Sequence, residues 1–299
     1  MRVVYYHLIS DSQFDWFNGL AVSKIKFEED LKHYKKHFNV ITFNDVKRYI
    51  LKGKSLNNTL VITFDDGYKE NFINAVEILD KYSLKATFFL NSSTINNEKI
   101  MWRDALTYLS EKASPKQLNN FKKELLYCGK EEFDILKSTK DLQLNTISEN
   151  IENLWNDVVG ISQEEFAKEN QIYIDCEDVR NLISSNHEIG IHSTYHPNFN
   201  TLSLNEGIEE IMTAYSFFFK KYNYEAISMS FPFGIKHPDK GFYDYLLKHT
   251  KLKYFSGIAY KQFSNTNLDK NYFVERLGME DGRNFFLSFY LRPLIRLIK

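Results

Sequence analysis

Two short polar strings, far apart in the chain, carry the side chains best suited to chemistry. The first is Thr63-Phe64-Asp65-Asp66-Gly67 and the second is His192-Ser193-Thr194-Tyr195-His196. Two imidazoles and one carboxylate suit Zn²⁺ or a similar divalent ion, and three protein ligands leave positions open for water and substrate. Adjacent aspartates on an extended segment point to opposite sides, so one can bind metal while the other accepts a proton from water. The pattern predicts a hydrolase.

Each string directly follows an apolar run that is typical of a buried strand, at residues 59–64 and 188–191. An Asp-Asp-Gly on its own is often only a turn, in which the glycine supplies the unusual backbone angles. Two histidines four residues apart also occur by chance. Because both strings occur together, each at the end of a strand-like run, we favour a shared site over two coincidences.

The elements that must position these strings alternate between strand and helix patterns. The strand-like runs cover residues 3–6, 59–64, 86–90, 188–191, 226–231, 255–259 and 272–276. Helical periodicity lies between many of them, as at 27–38 and 70–82. This alternation predicts a parallel α/β fold, and polar residues after several strands place the site at the carboxyl-terminal face of a barrel.

The alternation stops between Asn97 and Asp175, where only helix signals occur. We therefore predict one domain over residues 1–299 with a helical insertion at about 97–175. The insertion is expected to overhang the cleft, with Trp102 and Arg103 at its root as candidate substrate contacts. A segment that merely covers the barrel surface is an equally good interpretation.

The composition is that of an ordinary folded protein without a large net charge. The 299 residues are 43% hydrophobic and 26% charged, enough for one barrel-sized domain. A net charge of −1 would not gather nucleic acid, so binding of polyanions loses support. Only two cysteines occur, and they imply no disulfide framework.

The two ends of the sequence bear on location. The chain enters a strand pattern almost at once, without the charged start and apolar core of a secretory signal, so we expect a cytoplasmic protein. Residues 285–299 are apolar with interleaved basic residues. They are interpreted as a closing helix packed on the barrel or, less favoured, as a peripheral contact with the inner membrane face.

The two polar strings resemble motifs of the polysaccharide deacetylases, the fourth carbohydrate esterase family with the NodB homology domain, which remove acetyl groups from sugars. The first string matches a motif whose aspartates are base and metal ligand in turn, which implies Asp65 as base and Asp66 as ligand. The resemblance further implies His192 and His196 as the remaining ligands. It also implies a distorted, incomplete (β/α) barrel of about seven parallel strands.

A third family motif, Arg-x-Pro-Tyr-Gly, is represented here by Ser230-Phe231-Pro232-Phe233-Gly234. The resemblance implies that the backbone N–H of Phe233 is an oxyanion donor, and Phe231 and Pro232 are candidate substrate contacts. Ser230 stands where the family's arginine would hold the catalytic aspartate. Asp65 is therefore expected to lack its usual orienting partner.

The family's general acid is missing from its expected place. The family's Leu-x-His aligns best with Leu277-Gly278-Met279, which contains no histidine. The acid must then come from elsewhere, or metal-bound water protonates the leaving amine. His237 is one candidate replacement, and His7, which ends the first strand, could bind substrate, assist the acid chemistry or be a core histidine.

The resemblance implies a metal-dependent hydrolase that removes an N-acetyl or related acyl group from a sugar in surface-polysaccharide biosynthesis. The cofactor would be one divalent ion, Zn²⁺ first, with Co²⁺, Ni²⁺, Mn²⁺ or Fe²⁺ as alternatives. The acetylated sugar could be nucleotide-linked, lipid-linked or an oligosaccharide. A catalytically weak or inactive, metal-containing glycan-binding relative is the alternative. Phosphoryl chemistry is disfavoured because the aspartates are adjacent and no phosphate-cradling glycine-rich loop occurs.

Overall fold

The computed structural model describes residues 1–11, 21–125, 139, 141–234, 239–258 and 273–280. The strands are β1 Arg2–Tyr6, β2 Leu8–Ile9, β3 Ala21–Val22, β4 Asn39–Val40, β5 Thr59–Phe64, β6 Thr87–Asn91, β7 Glu188–Ser193, β8 Ser228–Ser230, β9 Tyr254–Ile258 and β10 Phe273–Gly278. The helices are α1 Lys24–His37, α2 Phe43–Leu51, α3 Val76–Lys81, α4 Trp102–Lys112, α5 Pro115–Leu125, α6 Leu144–Val158, α7 Gln163–Asn170, α8 Cys176–Ser184, α9 Leu204–Tyr222 and α10 Lys240–His249. Predicted site residue His237 and the 285–299 segment lie outside the described residues.

Seven parallel strands form a closed barrel in the order β1-β10-β9-β8-β7-β6-β5, and β5 pairs with β1 to complete the ring. The prediction of a seven-stranded parallel barrel is confirmed, one strand fewer than the eight of a standard (β/α)₈ barrel. Each predicted strand-like run coincides with one ring strand. The ring is distorted at β8, where one residue pair, Ile191 with Met229, joins it to β7.

The central strands are rich in apolar residues because both of their faces are covered. Every residue of β5, β6 and β7 is buried, as expected when side chains fill the barrel on one side and helices pack on the other. Aromatic rings fill part of this core, with Phe64 stacked between Tyr6 and Phe88. This packing fixes the strand ends from which the candidate residues project.

The predicted helix over 70–82 forms in two parts. Its first turn, Asn71–Ala75, is a π-helix that continues into α3. The Asn71 side chain is buried there, where its amide donates to the carbonyl of His7 and its oxygen accepts from the N–H of Ile9. A π turn often marks a functional site, and this one joins the segment after β5 to the residue that follows β1.

In the residues that the structure describes, the segment between β6 and α8 contains the helices α4 to α7, which share an apolar cluster around Trp155. Buried hydrogen bonds join this segment to the barrel. Tyr68 and Tyr173 both donate to the carboxylate of Asp104, and Tyr173 Oη is 2.6 Å from Asp104 Oδ2. Burial raises the pKa of Asp104 to about 7. Within the described part of the chain, no helix is long and apolar enough to cross a bilayer.

Candidate metal site and active centre

Three side chains from the ends of β5 and β7 and the segments that follow them converge at the carboxyl-terminal face of the barrel. Asp66 lies just after β5, while His192 is in β7 and His196 is in the loop that follows. Each histidine Nε2 is 3.2 Å from Asp66 Oδ1. One ligand atom from each residue lies within 4.8 Å of the others, and all three residues are buried. The structure thus brings together the three residues predicted as ligands.

The donor set fits a divalent ion. Among the described atoms, Asp66 Oδ1 is buried without a hydrogen-bond partner, although both imidazoles face it. Two ligands about 2.0–2.2 Å from one tetrahedral ion would be about 3.3–3.6 Å apart, close to the separations seen here. The Nδ1–H of His192 donates to the carbonyl of Ser230 at 2.9 Å. This bond leaves Nε2 with a free lone pair, which is how outer partners orient metal-binding histidines.

The electrostatics of the site also suit a cation. Burial lowers the pKa of His196, which keeps its imidazole neutral and able to ligate. Burial works against the charge on Asp66, but the neighbouring His196 and His192 outweigh it, and the pKa of that carboxyl lies well below its ordinary value. A neutral imidazole beside an ionised carboxylate is the protonation state that metal binding requires.

The backbone is strained where the site is built. Asp66, His196 and Phe233 have φ angles of 73°, 57° and 59°, in the left-handed region that side chains other than glycine rarely adopt. Such strain costs on the order of 1–3 kcal/mol per residue and collects at functional sites. It turns Asp66 away from Asp65 and directs it toward the histidines.

Asp65 does have an orienting arginine, so the expectation that it lacks one is wrong. Arg276 on β10 holds its carboxylate with two bonds, Nη1 to Oδ1 at 2.7 Å and Nη2 to Oδ2 at 2.8 Å. Arg276 Nη2 also donates to the hydroxyl of Ser230. The small side chain at 230 leaves space that a guanidinium from a different strand fills. All three residues are buried.

The pairing keeps Asp65 ionised. Burial raises its pKa, but the Arg276 guanidinium and His192 overcome burial and hold the pKa below the ordinary value. The sequence carried one weak signal of Arg276, a charged residue at the end of a strand-like run. Its partner could not be identified from the sequence, because 211 positions separate the two residues.

His7 lies at the rim of the site with a partner that the sequence did not suggest. Its Nδ1 is 2.5 Å from Glu280 Oε1, which also accepts from the His7 backbone N–H at 2.6 Å. Its Nε2 is 4.0 Å from Asp66 Oδ2, and the side chain is 21% exposed. Burial would lower the pKa of His7, but Glu280, with smaller contributions from Asp66 and Asp65, raises it to about 10.

Phe233 lies between the root of the insertion and the ligand His196. Its ring is 5.0 Å from the ring of His196 and 5.7 Å from that of Trp102, and the Arg103 guanidinium lies 5.2 Å from its centre. The indole N–H of Trp102 donates to the carbonyl of His196 at 2.9 Å. The root of the insertion therefore contacts the site directly, although Trp102 is largely buried.

Two other predicted substrate contacts are placed less favourably. Phe231 is 2% exposed and packs on Phe199 and Phe242, so its side chain belongs to the core. Pro232 is buried as well. Met279, where the family has its histidine, is 2% exposed.

The loop after β7, which carries the ligand His196, is held by Glu210 of α9. The Glu210 carboxylate accepts from the backbone N–H of Thr194 at 2.8 Å and of Tyr195 at 3.1 Å. The Thr194 hydroxyl in turn donates to the Glu210 carbonyl at 2.8 Å. No sequence motif pointed to this glutamate, since its partner is the backbone of a distant loop.

Comparison with known proteins agrees with this geometry. The family model of polysaccharide deacetylases matches residues 52–127, which include both aspartates and the root of the insertion. Over these residues the chain is similar to the polysaccharide deacetylases. It is similar to YxkH of Bacillus subtilis (strain 168), named as a polysaccharide deacetylase, with 28% identity over 113 residues. That match covers 37% of this chain and 39% of YxkH, so the chain spans well under half of this relative.

Solved structures share the fold of this chain. The deacetylase PplD of Streptococcus pyogenes, solved in complex with acetate, has a TM-score of 0.59 at 12% identity, covering 100% of this chain and 98% of PplD. IcaB of Ammonifex degensii has a TM-score of 0.58 at 14% identity, covering 94% of this chain and 92% of IcaB. At these identities the likeness concerns the barrel alone.

Proposed function

We propose that this chain is a metal-dependent carbohydrate deacetylase that hydrolyses the N-acetyl group of a sugar during surface-polysaccharide biosynthesis. The observation that carries the proposal is the convergence of Asp66, His192 and His196 beside an ionised Asp65. These three ligands would hold one divalent ion, Zn²⁺ before Co²⁺, Ni²⁺, Mn²⁺ or Fe²⁺. When bound, the ion would polarise the acetyl carbonyl and lower the pKa of water.

Asp65 is proposed as the general base. Arg276 occupies both carboxylate oxygens in the plane of the pair, which fixes the orientation of Asp65 while the remaining lone pairs stay available to a water proton. Because the carboxylate is buried and ionised, it presents its charge in a low-dielectric site. The Phe233 N–H, in the turn after β8, is proposed to stabilise the oxyanion.

We propose His7 as the group that protonates the leaving amine. Glu280 keeps its imidazole protonated, and Nε2 faces the ligand Asp66 from across the cleft. This pair replaces the histidine missing at Met279. Trp102 and Arg103 remain proposed substrate contacts through their packing around Phe233. A cytoplasmic location, with a peripheral membrane contact through 285–299, also remains a proposal.

The rival proposal is a metal-containing glycan-binding relative without turnover. The presence of Arg276 removes one ground for it, because the base is oriented after all, and the buried Met279 is the ground that remains.

An acetate-release assay on metal-loaded protein separates the two proposals. The substrates are acetylated nucleotide sugars, lipid-linked sugars and oligosaccharides, and metal content is measured on the same sample. We expect acetate from at least one class and about one ion per chain. Bound metal and glycan without acetate would favour the binding relative, and no metal would refute both.

A further inference from the structure

Two of the three predicted ligands lie on segments that have already left their strands. Asp66 follows β5 and His196 follows β7, and β6 separates these two strands in the ring. Both residues have positive φ angles, so neither continues the extended backbone of its strand. Nevertheless, Oδ1 of Asp66 and Nε2 of His196 are 3.2 Å apart. The pairing of the strands includes neither residue, so contacts from another element must set this separation.

The segment after Asp66 is tied to helix α4 of the insertion. Tyr68, two residues after Asp66, donates its hydroxyl to the carboxylate of Asp104, with Oη 3.0 Å from Oδ1 and 3.1 Å from Oδ2. Asp104 lies in the first turn of α4, and the two residues are 2% and 7% exposed. Because a buried carboxylate is costly to leave unpaired, this contact resists separation.

Tyr173 gives this contact a fixed geometry. Its Oη accepts from the backbone N–H of Met101 at 3.0 Å, just before α4, so its own proton is directed to Asp104. Two backbone hydrogen bonds of 2.9 and 3.0 Å also join residues 67–69 to residues 172–174. The chain that carries Asp66 is therefore held through both its backbone and the side chain of Tyr68.

The same turn of α4 reaches the segment that carries His196. Trp102, two residues before Asp104, donates its indole N–H to the carbonyl of His196 at 2.9 Å. Hydrogen bonds involving Ser193 and Glu210 also hold this segment. Helix α4, however, is the element that contacts the segment after Asp66 as well. A continuous series of contacts thus runs from Tyr68 through Asp104 and Trp102 to His196.

We propose that this series of contacts, the α4 brace, sets the separation of Asp66 and His196 and holds the metal site in its binding geometry before the ion arrives. Asp104 and Trp102 act as positioning residues in it, since neither is a ligand. The inference rests on the proposed function of the site as a metal centre. It makes the root of the insertion a part of that centre, so the insertion does more than cover the barrel surface.

Chelator competition for Zn²⁺ tests the two contacts separately and together. Tyr68→Phe removes one hydroxyl and keeps the ring, and Trp102→Phe removes the indole N–H. Each should weaken Zn²⁺ binding about tenfold, as expected for the loss of an outer partner. Because the contacts act in series, the double variant should also lose about tenfold, whereas independent contacts would multiply to about a hundredfold.

Matched variants separate positioning from general destabilisation. Asp104→Asn should keep Zn²⁺ affinity, because its amide oxygen can accept from both tyrosines, while Asp104→Ala should lose about tenfold. Tyr215→Phe is the control: it removes a buried hydroxyl on α9 that accepts from the backbone N–H of Lys251, and it should leave Zn²⁺ affinity unchanged. The visible absorption of the Co²⁺-loaded protein should change in Tyr68→Phe and Asp104→Ala, and stay as in wild type in Asp104→Asn and Tyr215→Phe.

Wild-type Zn²⁺ affinity in both single variants would overturn the brace, and so would a hundredfold loss in the double variant. Nuclear magnetic resonance on metal-free, ¹⁵N-labelled protein keeps this inference distinguishable from the proposed function. The Trp102 indole resonance, identified by its absence in Trp102→Phe, should move in Tyr68→Phe and stay in place in Tyr215→Phe. If wild type bound no metal but showed this shift, the deacetylase proposal would fail and the brace would stand. An unmoved resonance in Tyr68→Phe would refute the brace whether or not acetate is released.

Discussion

The pairing of Asp65 with Arg276 can be tested by moving the arginine from one strand to another. Arg276→Ser would leave the Asp65 carboxylate, which is 3% exposed, without its two charge-assisted bonds of 2.7 and 2.8 Å. Removing one partner of a buried pair costs about 3–5 kcal/mol, a large part of the roughly 5–15 kcal/mol that keeps a domain folded. Loss of an oriented general base should lower kcat by about 10²–10⁴-fold.

The rescue variant is Ser230→Arg combined with Arg276→Ser. Ser230 already contacts the guanidinium of Arg276, so an arginine at 230 reaches the same space once position 276 is truncated. We expect the double variant to regain part of the lost stability and activity. Ser230→Arg alone should be destabilised, because two guanidinium groups would then compete for one buried carboxylate. Arg276→Lys should lie between the wild type and Arg276→Ser, since an ammonium cannot bind both oxygens in one plane.

The measurements are urea unfolding, metal content and the pH dependence of acetate release. Without the guanidinium, the effect of burial on the pKa of Asp65 would lose its strongest opponent, although His192 and His7 would still lower that pKa. The acid limb of the pH profile should therefore move to higher pH in Arg276→Ser. The reasoning would be refuted if Arg276→Ser matched wild type in both stability and kcat. It would also fail if the double variant were no better than Arg276→Ser while remaining folded and loaded with metal.

Three further outcomes are expected. Asp65→Asn should abolish turnover in the acetate assay while elemental analysis still finds nearly all the metal, whereas His196→Ala should lose both turnover and metal. Equal metal loss in the two variants would make Asp65 a ligand. Glu210→Gln should keep metal affinity, because an amide oxygen can still accept from the loop, while Glu210→Ala should weaken it about 10–100-fold in a chelator competition; equal affinities would dismiss Glu210 as a positioning residue. Burial raises the pKa of Glu188 from 4.5 to about 7, so the folded state binds more protons than the unfolded state between these values and wild-type stability falls as pH rises through them. Glu188→Gln should flatten this slope and be more stable at pH 8 by up to about 3 kcal/mol in urea unfolding; an unchanged slope would contradict the shift.

The sequence was most informative where chemistry and strand pattern lie close together along the chain. The run from Thr59 to Phe64 was predicted with its observed bounds, because a strand buried on both faces is a nearly continuous run of apolar and β-branched residues. The adjacent aspartates were expected to face apart, and Asp65 turns to Arg276 while Asp66 turns to the histidines. The ligand set and the number of ring strands were likewise available from local motifs and their resemblance to a family.

Only the tertiary structure could supply the partners of these residues. Arg276, Glu280 and Glu210 carry no motif of their own, and each acts on a side chain or loop that the barrel brings to it from another element. Ser230 illustrates the limit most clearly. The sequence showed that position 230 holds no arginine, and from this we inferred that the site contains no guanidinium to orient Asp65. In a closed parallel barrel, however, the carboxyl-terminal ends of all strands surround one cavity. A guanidinium can therefore enter from β10 as readily as from β8, and only the packing of the strands decides which residue provides it.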